Sequence, residues 1–171
     1  MKDEKSEAEL EQFIQKLETV SGIERERIRK ELVKNGEDTI PHFLKLLNHQ
    51  KSFLRWEAMK GLSEISSHSL IPVFLEYLES EERDLSWLAE EGLINIGRNS
   101  VIPVLELLMD KADSVFVLSS AHHIFFELFR ENQLPEDSPV KSLLPLLNKT
   151  GKKEVIEVAV FKVLNELKHG K

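Results

Sequence analysis

The chain of 171 residues has no cysteine. That excludes disulfide staples, zinc–thiolate clusters and thiol nucleophiles. It has only seven glycines, and none sits in a G-x-x-x-x-G-K-[ST], G-x-G-x-x-G or G-x-S-x-G spacing. Phosphate-cradling loops and a strained nucleophile elbow are therefore missing. No apolar run reaches the ~18–20 residues of a membrane span. No stretch alternates strictly with period two, so strands are not expected. Residues 1–11, MKDEKSEAELE, are too polar for a secretory leader, and a soluble, cytoplasmic protein is expected. Basic charge is scarce in the middle: residues 70–110 hold nine acidic side chains and two basic ones, which equals the whole net charge of −7. A phosphate backbone is repelled there, so nucleic acid is disfavoured as a partner, and with no spanning run no membrane is expected.

What the chain has is a period. Pro41, Pro72 and Pro103 stand 31 residues apart in the phrases DTIPHFLKLL, SLIPVFLEYL and SVIPVLELLM. Each phrase is expected to open a first helix, with Asp38, Ser69 and Ser100 as its N-caps. A polar break follows, then a second helix at about 53–66, 84–97 and 115–130. The second helices echo one another: FLRWEAMKGLSEI over 53–65 becomes DLSWLAEEGLINI over 84–96. Gly97, and Gly36 before it, suit the left-handed residue that ends a helix. Residues 24–35 read as an earlier second helix with 4–20 as its partner. A last pair covers 138–149 and 153–168, where Pro145 predicts a kink or a late start. The result is one domain over 1–171, of five helix pairs: 4–35, 38–66, 69–97, 100–130 and 138–168.

The phrase P-x-x-x-x-L, a polar turn, then L-R-W-x-A-x-x-G-L-x-x-I resembles the HEAT repeat, in its short phycobilisome-lyase-type form. Arg55 stands where that pattern favours arginine; Ser86 and Leu118 replace it later. The resemblance is clear over 38–97, fair over 98–130 and weak at both ends. It implies an all-α, right-handed α–α superhelix, a HEAT-like solenoid with second helices lining a concave face. It implies scaffolding more often than catalysis. A tetratricopeptide array fits neither the period nor the motif.

Helical periodicity sorts each second helix into faces. Leu54, Ala58, Gly61, Leu62 and Ile65 form one buried stripe, and the recurrence of Gly61 as Gly92 calls for close approach of the first helix. Trp56 lies on the opposite side with Met59, Lys60 and Ser63. The corresponding rows hold Trp87, Glu90, Glu91 and Ile94, then Ser119, His122, His123 and Phe126, and last Glu157, Val160, Phe161 and Leu164. Aromatics beside carboxylates make a candidate interface, or else they pack repeat on repeat.

Other chemistries are weaker. His122 and His123 diverge by about 100° and share no i,i+4 ligand partner, so no metal is expected. The HEAT-type iron hydroxylases carry His-Glu dipeptides, and this chain has none. Trp56, Trp87 and Glu90 or Glu91 resemble the groove of the alkylpurine glycosylases, but the cationic lining for DNA is lacking. The basic residues of 24–34 are interleaved with glutamates. Ser119 and Ser120 before the histidines are too weak a signal for a nucleophile. The resulting expectation is a non-enzymatic HEAT-repeat scaffold or adaptor. Its partner would be a protein or peptide, basic or amphipathic, docking on Trp56, Met59, Lys60, Trp87, Glu90, Glu91, Ile94, His122, His123 and Phe126, with no cofactor. The alternatives are an enzyme or accessory lyase handling a base or chromophore in the same groove, and docking of a second copy there.

Overall fold

A computed structural model describes residue 12 and residues 15–148 and 152–170. Most of the expected first helix over 4–20 lies outside these, as does residue 149. The described residues are helical, with no strand among them. The helices are α1 (Gly22–Val33), α2 (Ile40–Leu47), α3 (Ser52–Ile65), α4 (Ile71–Tyr77), α5 (Arg83–Ile96), α6 (Val101–Asp110), α7 (Val115–Arg130), α8 (Leu144–Leu147) and α9 (Lys153–His169). The chain forms two compact units, Met1–Ser67 and His68–Lys171.

The second helices α3, α5 and α7 start and stop within a residue of expectation. The first helices at Pro41, Pro72 and Pro103 do so too, but their entry differs from expectation. Each is entered through a 3-10 turn, Gly36–Thr39, His68–Leu70 and Gly97–Ser100, so the α-helix begins at Ile40, Ile71 or Val101. Asp38 and Ser69 are therefore not caps. Ser100 does hold the N-cap place, but its hydroxyl donates to the Gly97 carbonyl at 2.8 Å, as Thr39 does to Gly36. The tight turn supplies partners from its own backbone, which makes a side-chain cap redundant. Pro145 produces the late start it predicted: a 3-10 turn over Pro139–Leu143, then the four residues of α8.

The close approach read from the glycines is present in both units. A Cβ built on Gly61 meets Cζ of Phe43 at 2.5 Å, and one on Gly92 meets Cζ of Phe74 at 2.5 Å. Each phenylalanine, from α2 or α4, lies flat against bare backbone of the following second helix, and each is fully buried. Around these contacts Leu54, Ala58 and Leu62, or Leu85, Leu88, Ala89 and Leu93, complete the core; Ile65, at the end of its stripe, is only partly buried. The turn after each of these helices needs positive φ. Ser66 takes it at +54° and Gly97, 31 residues on, at +79°. The Ser66 hydroxyl donates to the Ser63 carbonyl at 2.8 Å, which helps a non-glycine residue stay there.

Gly61→Ala and Gly92→Ala are each expected to lower stability by about 1–3 kcal/mol, because a buried ring or the backbone has to move. Chemical denaturation checks this. In a solvent-facing helix the same change stabilises by up to ~1 kcal/mol, so a rise in stability would show that the rings are not wedged.

Candidate functional site

In the unit His68–Lys171, α5 and α7 pack side by side. They are tied at three heights. Lys111 and Ser114, just before α7, donate to the Glu79 carboxylate at 2.6 and 2.7 Å. Midway, Glu90 accepts from the Ser120 hydroxyl at 2.6 Å and meets Nδ1 of His123 at 2.6 Å. Near the top, Gln133 Nε2 donates to the Ile94 carbonyl at 3.4 Å. Numbers rise together along both chains, so the two helices run parallel, as second helices of successive pairs should.

Glu90 is the hub of this face. Its side chain is mostly buried, yet His123 beside it is partly open. Nε2 of His123 faces Oε1 of Glu127 at 4.0 Å, and Arg130 pairs with Glu127. Nδ1, facing a carboxylate at hydrogen-bond distance, carries the proton. The Ser120 proton is turned to Glu90 rather than to an imidazole, so there is no serine–histidine pair to make an alkoxide. His122 points elsewhere: its ring stacks on Phe126 with centroids 6.2 Å apart and planes 11° apart. Burial, and then the neighbouring His123, hold the His122 imidazole below its ordinary value of 6.5. Among the described residues no three histidine, aspartate or glutamate side chains converge as a metal-ligand set.

On α5 Trp87 stands one turn before Glu90; on α7 Phe126 stands one turn after His123 and carries the stacked His122 ring. Trp87 is 49% exposed and Phe126 48% exposed. Glu91 is partly buried. Ile94 is 7% exposed, a correction to its expected place on the open row. The wheel allowed one buried stripe, whereas α5 is covered by α4 on one flank and α7 on another.

In the unit Met1–Ser67 the row fares differently. Met59 is fully buried, a second correction of the same kind, since α3 is packed by α1 as well as α2. Lys60 is partly buried. Trp56 is partly buried too, and the Arg29 guanidinium lies over its ring at 5.9 Å. Arg29 itself is 3% exposed. Its Nε donates to Glu57 at 3.0 Å and its Nη1 to Glu64, while Arg25 reaches Glu57 at 3.7 Å. Burial pushes the Glu57 carboxyl above its ordinary value, against the pull of Arg29 and Arg25. This cluster was missed in the sequence. Its signal was there: Arg25 and Arg29 are i,i+4 on α1, Glu57 and Glu64 i,i+7 on α3, and each pair shares a helix face. Glu127 and Arg130 were also missed, and Ser120 was weighed only as a nucleophile.

The arginine that the repeat pattern favours acts on backbone. Arg55 Nη1 donates to the carbonyls of His49 and Gln50 at 2.6 and 2.9 Å, beyond the end of α2. Ser86, its counterpart, is buried and donates to the Leu78 carbonyl at 3.1 Å, at the end of α4. Two different side chains thus satisfy carbonyls just past the end of a first helix.

No protein-family model and no curated protein matches this chain.

Trp56→Ala is expected to cost about 2–3 kcal/mol, and Trp87→Ala under about 1 kcal/mol, because only the first indole is enclosed. Thermal melts of both variants check the order; equal losses would show Trp87 to be a packing residue. The pH response follows from His122. Its folded-state pKa lies below 6.5, so the unfolded chain binds the proton first, and stability falls as pH drops from about 6.5 toward the folded value. His122→Gln is expected to remove that part of the acid-side loss. Urea titrations at pH 7.5, 6.5 and 5.5 check it, and identical profiles for the two proteins would contradict it.

Proposed function

We propose that this chain is a non-enzymatic HEAT-type repeat module that binds a basic, amphipathic protein segment on the α5–α7 face. The observation that carries the reading is that the packed helices α5 and α7 each carry a half-exposed aromatic, Trp87 and Phe126, and are joined by a fixed carboxylate, Glu90. Aromatics anchor interfaces through large, rigid contact areas. A lysine or arginine on the incoming segment finds Glu90, Glu91 and the acid-rich stretch of residues 76–91, which favours fast, salt-sensitive association. An apolar stripe on the same segment then covers the rings, in the helix-in-groove manner.

The repeat assignment rests on the 31-residue recurrence of proline, aromatic and glycine, together with the parallel second helices. The non-enzymatic part rests on the hydrogen bonds: Ser120, Glu90 and His123 satisfy one another and leave no activated nucleophile. Nucleic acid is disfavoured by the state of the basic residues in α1 and just after it. Arg25, Arg27, Arg29, Lys30 and Lys34 each pair with a glutamate of α1 or α3.

The test uses Trp87 as its own reporter. A Trp56→Phe chain leaves Trp87 as the sole indole. Titration with a lysine- and leucine-patterned amphipathic helical peptide is expected to shift its emission to the blue. A glutamate- and leucine-patterned peptide of the same length is expected not to. Trp87→Ala with Phe126→Ala is expected to weaken peptide binding by ~30-fold or more, read by calorimetry. No response up to ~1 mM basic peptide, or equal response to both peptides, overturns the reading.

A further inference from the structure

The last helix carries an apolar face that nothing among the described residues covers. α9 turns Ile156, Val160, Val163 and Leu164 inward, against α6 and the turn Pro139–Leu143. Val158 lies almost diametrically opposite that stripe and is 70% exposed. Val155, one turn before, is 50% exposed, and Phe161, one turn after, is 57% exposed. Three large apolar side chains in a row on the outward side of a helix call for an occupant.

We infer that this face pairs with the same face of a second copy of the chain, antiparallel, with Val158 on the twofold axis. The argument is the symmetry of the residues about Val158. Three positions before and three after stand Val155 and Phe161, both apolar. Four positions before and four after stand Glu154 and Lys162, of opposite charge. Neither Glu154 nor Lys162 has an ion-pair partner among the described residues, whereas Lys153 and Lys168 on the same helix are engaged with Glu157 and Glu106. A twofold axis through Val158 sets −3 against +3 and −4 against +4. Val155 then meets Phe161 of the other copy, and Glu154 meets its Lys162, each contact made twice. This is the self-complementary pattern an isologous interface requires. An unrelated partner has no reason to match it.

The face is small. A stable interface buries ~800 Å² on each partner, and three side chains are the centre of such a patch rather than all of it. The dimer is therefore weak and concentration-dependent, and it presents two α5–α7 faces together.

The chain's lack of cysteine supplies the test. Val158→Cys places a single thiol on the twofold axis, within the ~3.5–4.5 Å Cβ separation a disulfide needs. Under mild oxidation it is expected to cross-link to itself at least ~10-fold faster than Val115→Cys, an exposed control on α7, because the paired thiols are already in contact. In sedimentation velocity the parent chain is expected to shift from monomer toward dimer between ~10 μM and ~1 mM. Val158→Asp is expected to raise the dissociation constant ~10-fold or more, with far-UV circular dichroism confirming that the helix is intact. Glu154→Lys and Lys162→Glu alone are each expected to weaken the dimer ~3-fold or more, and the double exchange to restore it. Equal cross-linking of the two cysteine variants overturns the proposal. So does a parent chain that stays monomeric throughout, or a double exchange that fails to recover.

Discussion

A flat aromatic ring against bare helix backbone is the contact on which the rest depends. Phe43 can reach the axis of α3 only because Gly61 has no side chain, and Phe74 reaches α5 through Gly92 in the same way. A helix-interior glycine costs about 1 kcal/mol relative to alanine. Burying a whole phenylalanine offsets that, since such a ring removes ~150–250 Å² from water. The third pair inverts the arrangement. Leu105 stands where the phenylalanine was, and Ile124 where the glycine was, both fully buried. Bulk on the second helix takes the place of the ring, so the pair stays filled without bare backbone.

With the cores so alike, the differences between pairs lie on the flanks, and the two tryptophans show it. Each occupies the same helical position, 31 residues from the other. Trp56 has a buried guanidinium over its ring, held there by Glu57 and Glu64. Trp87 has no such cover and remains half in solvent. Ion pairs this buried add little net stability over an apolar filling, but losing one partner strands a charge and costs ~3–5 kcal/mol. Arg29, Glu57 and Glu64 therefore lock α1 onto α3. On the α5–α7 face the corresponding polar group is Glu90, satisfied by a hydroxyl and an imidazole from the next helix while the surface above stays open.

The elements that depend on local periodicity were legible in the sequence. α3, α5 and α7, the glycine contacts and the late start at Pro145 all follow from spacing and from side-chain size. The entry turns were not, because Asp38, Ser69 and Ser100 carry the chemistry of a cap, and only the backbone path shows that a 3-10 turn has made it redundant. Met59 and Ile94 were misplaced for a different reason. A helical wheel finds the stripe facing one neighbour, and these helices have two. Arg29 and Glu57 are 28 residues apart and belong to different pairs: periodicity put each on a charged face of its own helix, and only packing brought the two faces together. The half-exposure of Trp87 and Phe126 is of the same kind: the residue types were visible, their surroundings were not.

In the proposed reading, the α5–α7 face suits a partner because its polar centre is already ordered. A carboxylate on a mobile side chain loses rotamer freedom when it is engaged, at roughly 0.5–1.5 kcal/mol for each side chain immobilised. Glu90 has lost that freedom on folding, through Ser120 and His123. The rings beside it are also stiff, with two torsions apiece. Neither aromatic needs to leave a core to be used, and Glu90 needs no new rotamer. Its two hydrogen bonds leave acceptor capacity on a carboxylate that can take about four. In that reading, a cation reaching Glu90 adds to an existing network rather than replacing one, which is the condition under which a charge this close to burial increases affinity instead of opposing it.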